Sequence, residues 1–291
     1  MKKPIQVLAQ GLGHPEGPYV LPDGRVVFAN TYRSEIGVYE PGGRIGTYAF
    51  TGGGPNACML GSDGYVYCTN TPTVGKWVAP EHRPPSIQRA APDGRVEIVA
   101  TEADGVKFNA PNDLTFGPDG RLYFTDSGDW DPQTKPHPGY ICAIDPDGTA
   151  HILEALDHVY PNGIVAEPDG SILWVESYTR NLIRRSPDRR KQVLHTLPEN
   201  HIPDGFKIDT SGNLWITSVS SGGIDIVAAD GTPLDFLETG GIPLNCAFGG
   251  EALFVTDFGI TMPGDGAPMG GRLLRIDVGV QGMPLYRGKI G

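Results

Sequence analysis

Residues 111–124 read Pro-Asn-Asp-Leu-Thr-Phe-Gly-Pro-Asp-Gly-Arg-Leu-Tyr-Phe, and the pattern recurs along the chain. A proline is followed at once by a polar residue. A short apolar run comes next, then a turn glycine nine residues after the proline, then a second apolar run. Pro15-Glu16, Pro55-Asn56, Pro161-Asn162 and Pro203-Asp204 repeat the opening of Pro111-Asn112, and Gly24, Gly64, Gly170 and Gly212 repeat the glycine that Gly120 supplies here. A looser sixth copy opens at Pro243-Leu244-Asn245 and turns at Gly249-Gly250. Matches at one fixed offset mark an internal repeat.

Each of the first five copies carries a second turn signal, at Pro41-Gly42-Gly43, Pro92-Asp93-Gly94, Pro146-Asp147-Gly148, Pro187-Asp188 and Asp230-Gly231. Two hairpins make four strands, and near-continuous runs such as Leu122-Tyr123-Phe124 suit sheets covered on both faces. Six copies of a four-stranded antiparallel sheet predict an all-β fold, a six-bladed β-propeller spanning residues 1–291 as a single domain, with blades starting near 15, 55, 111, 161, 203 and 243. Pro4 to Ala9 is a strand left over that can close the ring, with Leu285 to Lys289 competing for that place. Only His151 to Tyr160 has helix-like apolar spacing, and it falls where a fourth strand is due. The Gly-His and Trp-Asp signatures of a seven-bladed ring are absent.

Composition agrees. Glycine (41) and proline (27) fill nearly a quarter of 291 positions, as many tight turns require, and 39% hydrophobic residues suffice for a core. A net charge of −11 repels phosphate backbones and anionic membranes, so neither nucleic acid nor a membrane is expected as a partner. No apolar run approaches a membrane span or a signal sequence, and the four scattered cysteines read as buried reduced thiols. A cytoplasmic protein is expected, and a monomer, because blades bury their own edges.

The repeat also predicts a site. Inner strands run in one direction around the channel, so Glu16, Asn56, Asn112, Asn162, Asp204 and, shifted by one, Asn245 form a ring at one mouth. The antiparallel second strands return there with Asn30, Asn70, Asp126, Glu176, Ser218 and Asp257, an expected second ring. Side-chain oxygens of this kind suit a hard cation such as calcium, magnesium or manganese. Glu16 and Asp204 bring two charges that one divalent ion neutralises. Asn and Asp also shape turns without any ligand, but Glu has no such local role.

The longer connections Thr71 to Ser86, Ser127 to Gly139 and Phe258 to Gly270 belong on the same side and carry Trp77, His82, Trp130, His137, Met262 and Met269, a rim and lid for a small-molecule pocket. No G-x-S-x-G elbow, phosphate-binding glycine loop or zinc-type histidine spacing occurs. His14 reads as structural beside Pro15.

The runs His14-Pro15-Glu16-Gly17-Pro18, Phe108-Asn109-Ala110-Pro111-Asn112-Asp113-Leu114, Pro161-Asn162-Gly163-Ile164 and Pro203-Asp204-Gly205 resemble the gluconolactonase / senescence marker protein / luciferin-regenerating enzyme family, over about Gly13 to Gly282. The resemblance implies a six-bladed propeller with one divalent metal in the channel, calcium first, with zinc, magnesium, manganese and iron(II) as alternatives. It implies Glu16, Asn162 and Asp204 as metal ligands, Asn112 touching substrate with Asp113 next in line, and Asp204 as general base. The chain departs from animal members in having Ala110 where they have arginine, a role that Lys107 could take from the connecting loop.

The implied activity is metal-dependent hydrolysis of a sugar lactone or similar small lactone. The metal would polarise the carbonyl, Asp204 or Asp113 would activate water, and Asn112 would orient the substrate. Phosphotriester hydrolysis on the same site is the alternative among enzymes. A non-catalytic, calcium-stabilised ligand-binding propeller is the alternative outside them.

Overall fold

A computed structural model describes residues 1–259 and 270–291. Each repeat folds as one antiparallel sheet, and six such sheets form a β-propeller. Blade 1 comprises Pro15–Val20, Val26–Asn30, Glu35–Tyr39 and Ile45–Phe50. Blade 2 has Gly54–Leu60, Val66–Thr71, Ser86–Ala90 and Val96–Ala100. Blade 3 has Pro111–Phe116, Leu122–Asp126, Tyr140–Ile144 and Ala150–Ala155. Blade 4 runs Pro161–Ala166, Ile172–Glu176, Asn181–Arg185 and Lys191–Thr196. Blade 5 runs Pro203–Ile208, Leu214–Ser218, Gly223–Val227 and Pro233–Glu238.

Blade 6 is assembled from both ends of the chain. Pro243–Gly249, Ala252–Asp257 and Gly271–Asp277 are completed by Ile5–Leu12, which pairs antiparallel with Gly271–Asp277. The leftover amino-terminal strand therefore closes the ring. Its rival, Leu285 to Lys289, is not a strand. Residues 281–291 instead cross the face opposite the prolines, where Thr210 N donates to Gln281 O (2.8 Å), Ser62 N to Gly288 O (2.7 Å) and Gly291 N to Pro146 O (2.9 Å). The helix-like stretch after residue 150 is the outer strand of blade 3, and the one helical segment among the described residues is the 3-10 turn Thr31–Arg33.

Two local rules build each blade. The turn glycines Gly24, Gly64, Gly120, Gly170 and Gly212 all have φ between 81° and 86°, a left-handed conformation in which a Cβ is costly. The second strands of blades 1 to 5 are buried along their whole length, and that of blade 6 at all but Phe254, which explains their apolar sequence, whereas an outer strand such as Lys191–Thr196 is largely exposed.

Hydroxyls stitch neighbouring blades together. A hydroxyl on the second strand or just past its end donates to an inner-strand carbonyl of the next blade in Thr31 to Pro55 (2.7 Å), Thr69 to Asn112 (2.6 Å), Thr125 to Asn162 (2.8 Å), Ser177 to Pro203 (2.7 Å) and Thr217 to Leu244 (2.7 Å). These donors are buried, so each bond satisfies a group that would otherwise cost about 1–3 kcal/mol. The inner strands, and the residues they carry, are fixed relative to one another by this belt.

Candidate active site at one mouth of the channel

Every inner strand breaks register near its start, just after Glu16 in blade 1 and just after the proline in the others. In blade 3, Pro111 pairs with Asp126 and Leu114 with Phe124, leaving Asn112 and Asp113 outside the ladder. The same one-residue irregularity occurs in the other five blades. A bulge re-aims side chains that strict alternation would send to opposite faces. The residue after each proline is thereby turned into one cavity of about 760 Å³, whose floor holds Glu16, Asn56, Asn112, Asn162, Asp204 and Leu244.

Leu244 therefore takes the sixth ring position, and Asn245 does not. Asn245 sits one layer deeper, where its Nδ2 donates to Asp113 Oδ2 at 3.4 Å. That layer consists of Gly17, Ala57, Asp113, Gly163, Gly205 and Asn245, so two large polar side chains fill space left by small residues. The glycines are obligatory. A Cβ on Gly17 would stand 2.2 Å from Ala57 Cα, one on Gly163 2.6 Å from Asp204 O, and one on Gly205 2.0 Å from Asn245 Cγ. The recurring glycine after Glu16, Asn162 and Asp204 is what lets these strands approach.

Asp113 does not line the cavity. Its Oδ1 accepts from Leu114 N (2.8 Å), and its Oδ2 faces Ile164 N (3.4 Å), Asn245 and the Lys207 ammonium (3.9 Å). Every nearby donor holds the carboxylate inside the channel. Lys107, half of a small exposed hairpin with Glu102, is also absent from the cavity.

The expected second ring does not form at the cavity, and two of its members, Asn30 and Asp126, instead brace the chain. Asn30, Asn70, Asp126, Glu176, Ser218 and Asp257 each pair directly with a proline, and none lines the cavity. Asp126 accepts from Asn109 N (2.9 Å) and Ala110 N (2.7 Å), and Asn30 Oδ1 from Gly13 N (2.8 Å). These oxygens tie down the chain entering the inner strand. One position later the strand faces inward, and Thr71, Ser177, Val219 and Phe258 do line the cavity.

Glu16 and Asp204 share the floor as buried carboxyls. Burial, and then the charge of Asp204, pushes the Glu16 carboxyl well above the usual carboxylate range. Burial, and then the charge of Asp113, does the same for Asp204, opposed by a hydrogen bond with Asn162. The Asn162 amide donates from Nδ2 to Ser177 Oγ at 3.2 Å, while its Oδ1 is buried without a partner.

Among the described residues no three His, Cys, Asp or Glu converge on one point. The set here is two carboxylates and an orphaned amide oxygen. All are hard oxygen donors in a site with excess negative charge, and this set fits a divalent cation of the calcium or magnesium kind.

The walls come from insertions and from two unusual backbone positions. The segment after Thr71 folds as the hairpin Thr73–Val74 with Trp77–Val78 over the cavity. Trp130 lines it from the Ser127 connection, whereas His82 and His137 are not among the lining residues. Met262 and Met269 lie outside the described residues.

His14 and Tyr160, each just before a ring proline, adopt left-handed φ of 57° and 54° and both face the cavity. Burial lowers His14 to about 3, so its imidazole is neutral, with Nδ1 unpartnered. Tyr160 is raised by burial and by Asp204, and its hydroxyl meets Asn112. All four cysteines are buried and unpaired, and burial pushes the Cys68 and Cys246 thiols up to about 12, so none serves as a nucleophile.

A family model described as the SMP-30/Gluconolactonase/LRE-like region matches residues 12–258. The chain is 29% identical to a gluconolactonase of Zymomonas mobilis, over 87% of this chain and 78% of the relative. It is 28% identical to regucalcin of Sus scrofa, over 67% and 71%. Among solved structures, a calcium-binding protein, regucalcin, from Agrobacterium tumefaciens superposes with a TM-score of 0.80 at 21% identity, covering 99% of this chain and 98% of that one. A luciferin-regenerating enzyme gives 0.81 at 19%, covering 99% and 100%.

Proposed function

The chain belongs to the SMP-30/gluconolactonase/LRE-like family, and on that premise we propose that it hydrolyses a lactone at the floor of this cavity. The observation that carries the reading is the pair of buried carboxyls, Glu16 and Asp204, beside the unpartnered Asn162 oxygen. Glu16, Asn162 and Asp204 would hold a divalent cation. When bound, such an ion supplies positive charge beside the lactone carbonyl, where negative charge develops in the tetrahedral intermediate.

Asp204 is the proposed general base. Water oxygen bonds to the carbonyl carbon as Asp204 accepts its proton, and the ring C–O bond then breaks. The ring oxygen takes up a proton and leaves as a hydroxyl. The product is a hydroxy acid that releases one proton near neutrality.

Asn112 orients the substrate. Its Oδ1 accepts from Asn56 Nδ2 at 3.1 Å and its side chain also meets the Tyr160 hydroxyl, so the amide is held in place at the cavity floor. Asp113, held by Lys207 beneath the floor, tunes the field and does not touch the reacting atoms.

The test is proton release from a lactone panel, using chelator-treated protein with and without restored calcium, zinc or manganese. Spontaneous opening is subtracted. Metal-restored acid release supports the hydrolase. Tight cation binding with no release from any lactone sinks it and leaves a metal-stabilised binding propeller.

A further inference from the structure

The cavity has two tiers. Its floor is polar, whereas the walls above carry Val74, Val78, Ile202 and Val219 and a set of aromatic rings. The rings form two groups. On one side Phe258, His14, Tyr32 and Trp77 make an unbroken row, with ring centroids 4.4, 5.1 and 5.6 Å apart in succession. On the other, Trp130 and Tyr160 meet edge to face at 4.8 Å, and Tyr178 backs both at 5.0 and 5.3 Å.

The fold sets these groups against each other. His14 precedes the inner strand of blade 1 and Tyr160 that of blade 4, and in a six-bladed ring those blades are diametrically opposed. Both rings are turned to the cavity by left-handed backbone that a non-glycine residue adopts only at a cost. Trp130 and Val78 remain 42% and 60% exposed at the rim, so the apolar upper tier is not covered by the chain's own described residues. The rim also carries Lys76 and Asp129, both exposed and of opposite sign.

Resting on the hydrolase reading, we propose that the substrate is a lactone bearing a fused or attached aromatic ring, the lactone on the polar floor and the aryl group between the two aromatic walls. A cavity of about 760 Å³ is of the size that holds drug-sized ligands, roughly 300–1,000 Å³. A bare polyhydroxylated lactone would leave much of it empty, with hydroxyls set against valine, isoleucine and ring faces where they find few partners. A flat apolar group loses nothing there and gains offset or edge contacts on both faces, which amount to about tenfold in affinity.

The test uses three six-membered lactones, dihydrocoumarin, δ-valerolactone and D-glucono-δ-lactone. Each kcat/KM is divided by the same lactone's rate of hydroxide-catalysed opening, which removes intrinsic reactivity. Binding of the unreactive lactams of the first two, followed by tryptophan fluorescence, is measured in parallel. The expected result is a normalised preference of at least about tenfold for dihydrocoumarin, reduced toward unity in Trp130→Ala and Trp77→Ala, with the aryl lactam binding about tenfold tighter than the alkyl one.

Lactone opening without an aryl preference overturns the substrate class and leaves the hydrolase. Tight aryl-lactam binding with no lactone opened does the reverse. Neither binding nor opening overturns both.

Discussion

The ammonium of Lys207 lies 3.9 Å from Oδ2 of Asp113, the lysine side chain 12% and the aspartate 3% exposed. The pair joins blade 5 to blade 3 through the centre of the ring, directly beneath Glu16 and Asp204. Three carboxylates and one ammonium then leave two negative charges at the floor, the number one divalent ion neutralises. Lys207 is the counter-charge that permits Asp113 to be buried there.

Lys207→Met should therefore be costly, and Asp113→Asn on top of it should restore most of the loss. Removing one partner of a buried pair strands the other charge, at a cost of about 3–5 kcal/mol, whereas removing both is often close to neutral. Urea unfolding of the two single variants and the double variant measures this. A Lys207→Met variant within about 0.5 kcal/mol of the parent, the scale of a neutral surface change, would mean that the ammonium does not neutralise Asp113.

Chelator-treated protein should lose stability as pH rises. Glu16 and Asp204 have folded-state pKa values raised above their unfolded ones. Their contribution is then complete below the ordinary carboxylate range and lost as pH climbs through the raised values. Thermal unfolding between about pH 4 and pH 8 should fall more steeply for the parent than for Glu16→Gln/Asp204→Asn. Calcium at about a hundred times its Kd should recover about 2.7 kcal/mol in the parent at the alkaline end of that range and little in the double variant. Parallel pH profiles for the two proteins would remove the charge-repulsion account of the floor.

Gly163→Ala should damage the site through the backbone. Its new Cβ would stand 2.6 Å from Asp204 O and 2.9 Å from Gly205 Cα, neither of which is a flexible side-chain end. Overpacking of this kind costs about 1–3 kcal/mol and displaces Asp204, so stability and calcium affinity should fall together. Gly42 provides the control, because a Cβ added there would meet nothing within 4 Å and its φ is not left-handed. Gly42→Ala should stay within about 0.5 kcal/mol of the parent.

The sequence made the blades legible because each used the same proline, the same turn glycine and the same apolar runs, all of them local signals. The floor was legible for the same reason, as all six of its residues follow a proline at once and five of the six are polar. Leu244 and Asn245 were exchanged because the sixth copy is loose and the polar residue lies one place late. The second ring expected from the sequence does not form because antiparallel return fixes which mouth a residue reaches, while the ladder decides which way it points. Asn30 and Asp126 pair with prolines and point outward, and the inward position is the next one. Tyr160 gave no signal, since residues before proline ordinarily favour extended backbone, not the left-handed form observed. The partnership of Asp113 with Lys207 crosses the ring and has no local sign.

Glu16 and Asp204 are both assigned to the cation, but Asp204 alone is assigned the proton, and conservative variants separate the roles. Glu16→Gln and Asp204→Asn each keep an oxygen at the floor and each remove one charge, so both should weaken calcium binding. At saturating calcium the two should diverge. Glu16→Gln regains turnover because its loss is one of affinity, whereas Asp204→Asn stays depressed by about 10²–10⁴-fold because an amide cannot accept the proton of the attacking water. Calcium titrations by calorimetry give the affinities, and proton release at saturating metal gives kcat. An Asp204→Asn variant that recovers full turnover once loaded would reduce Asp204 to a ligand. The base would then be sought at another group that reaches the cavity, and Asp113, sealed beneath the floor by Lys207, is not placed to serve.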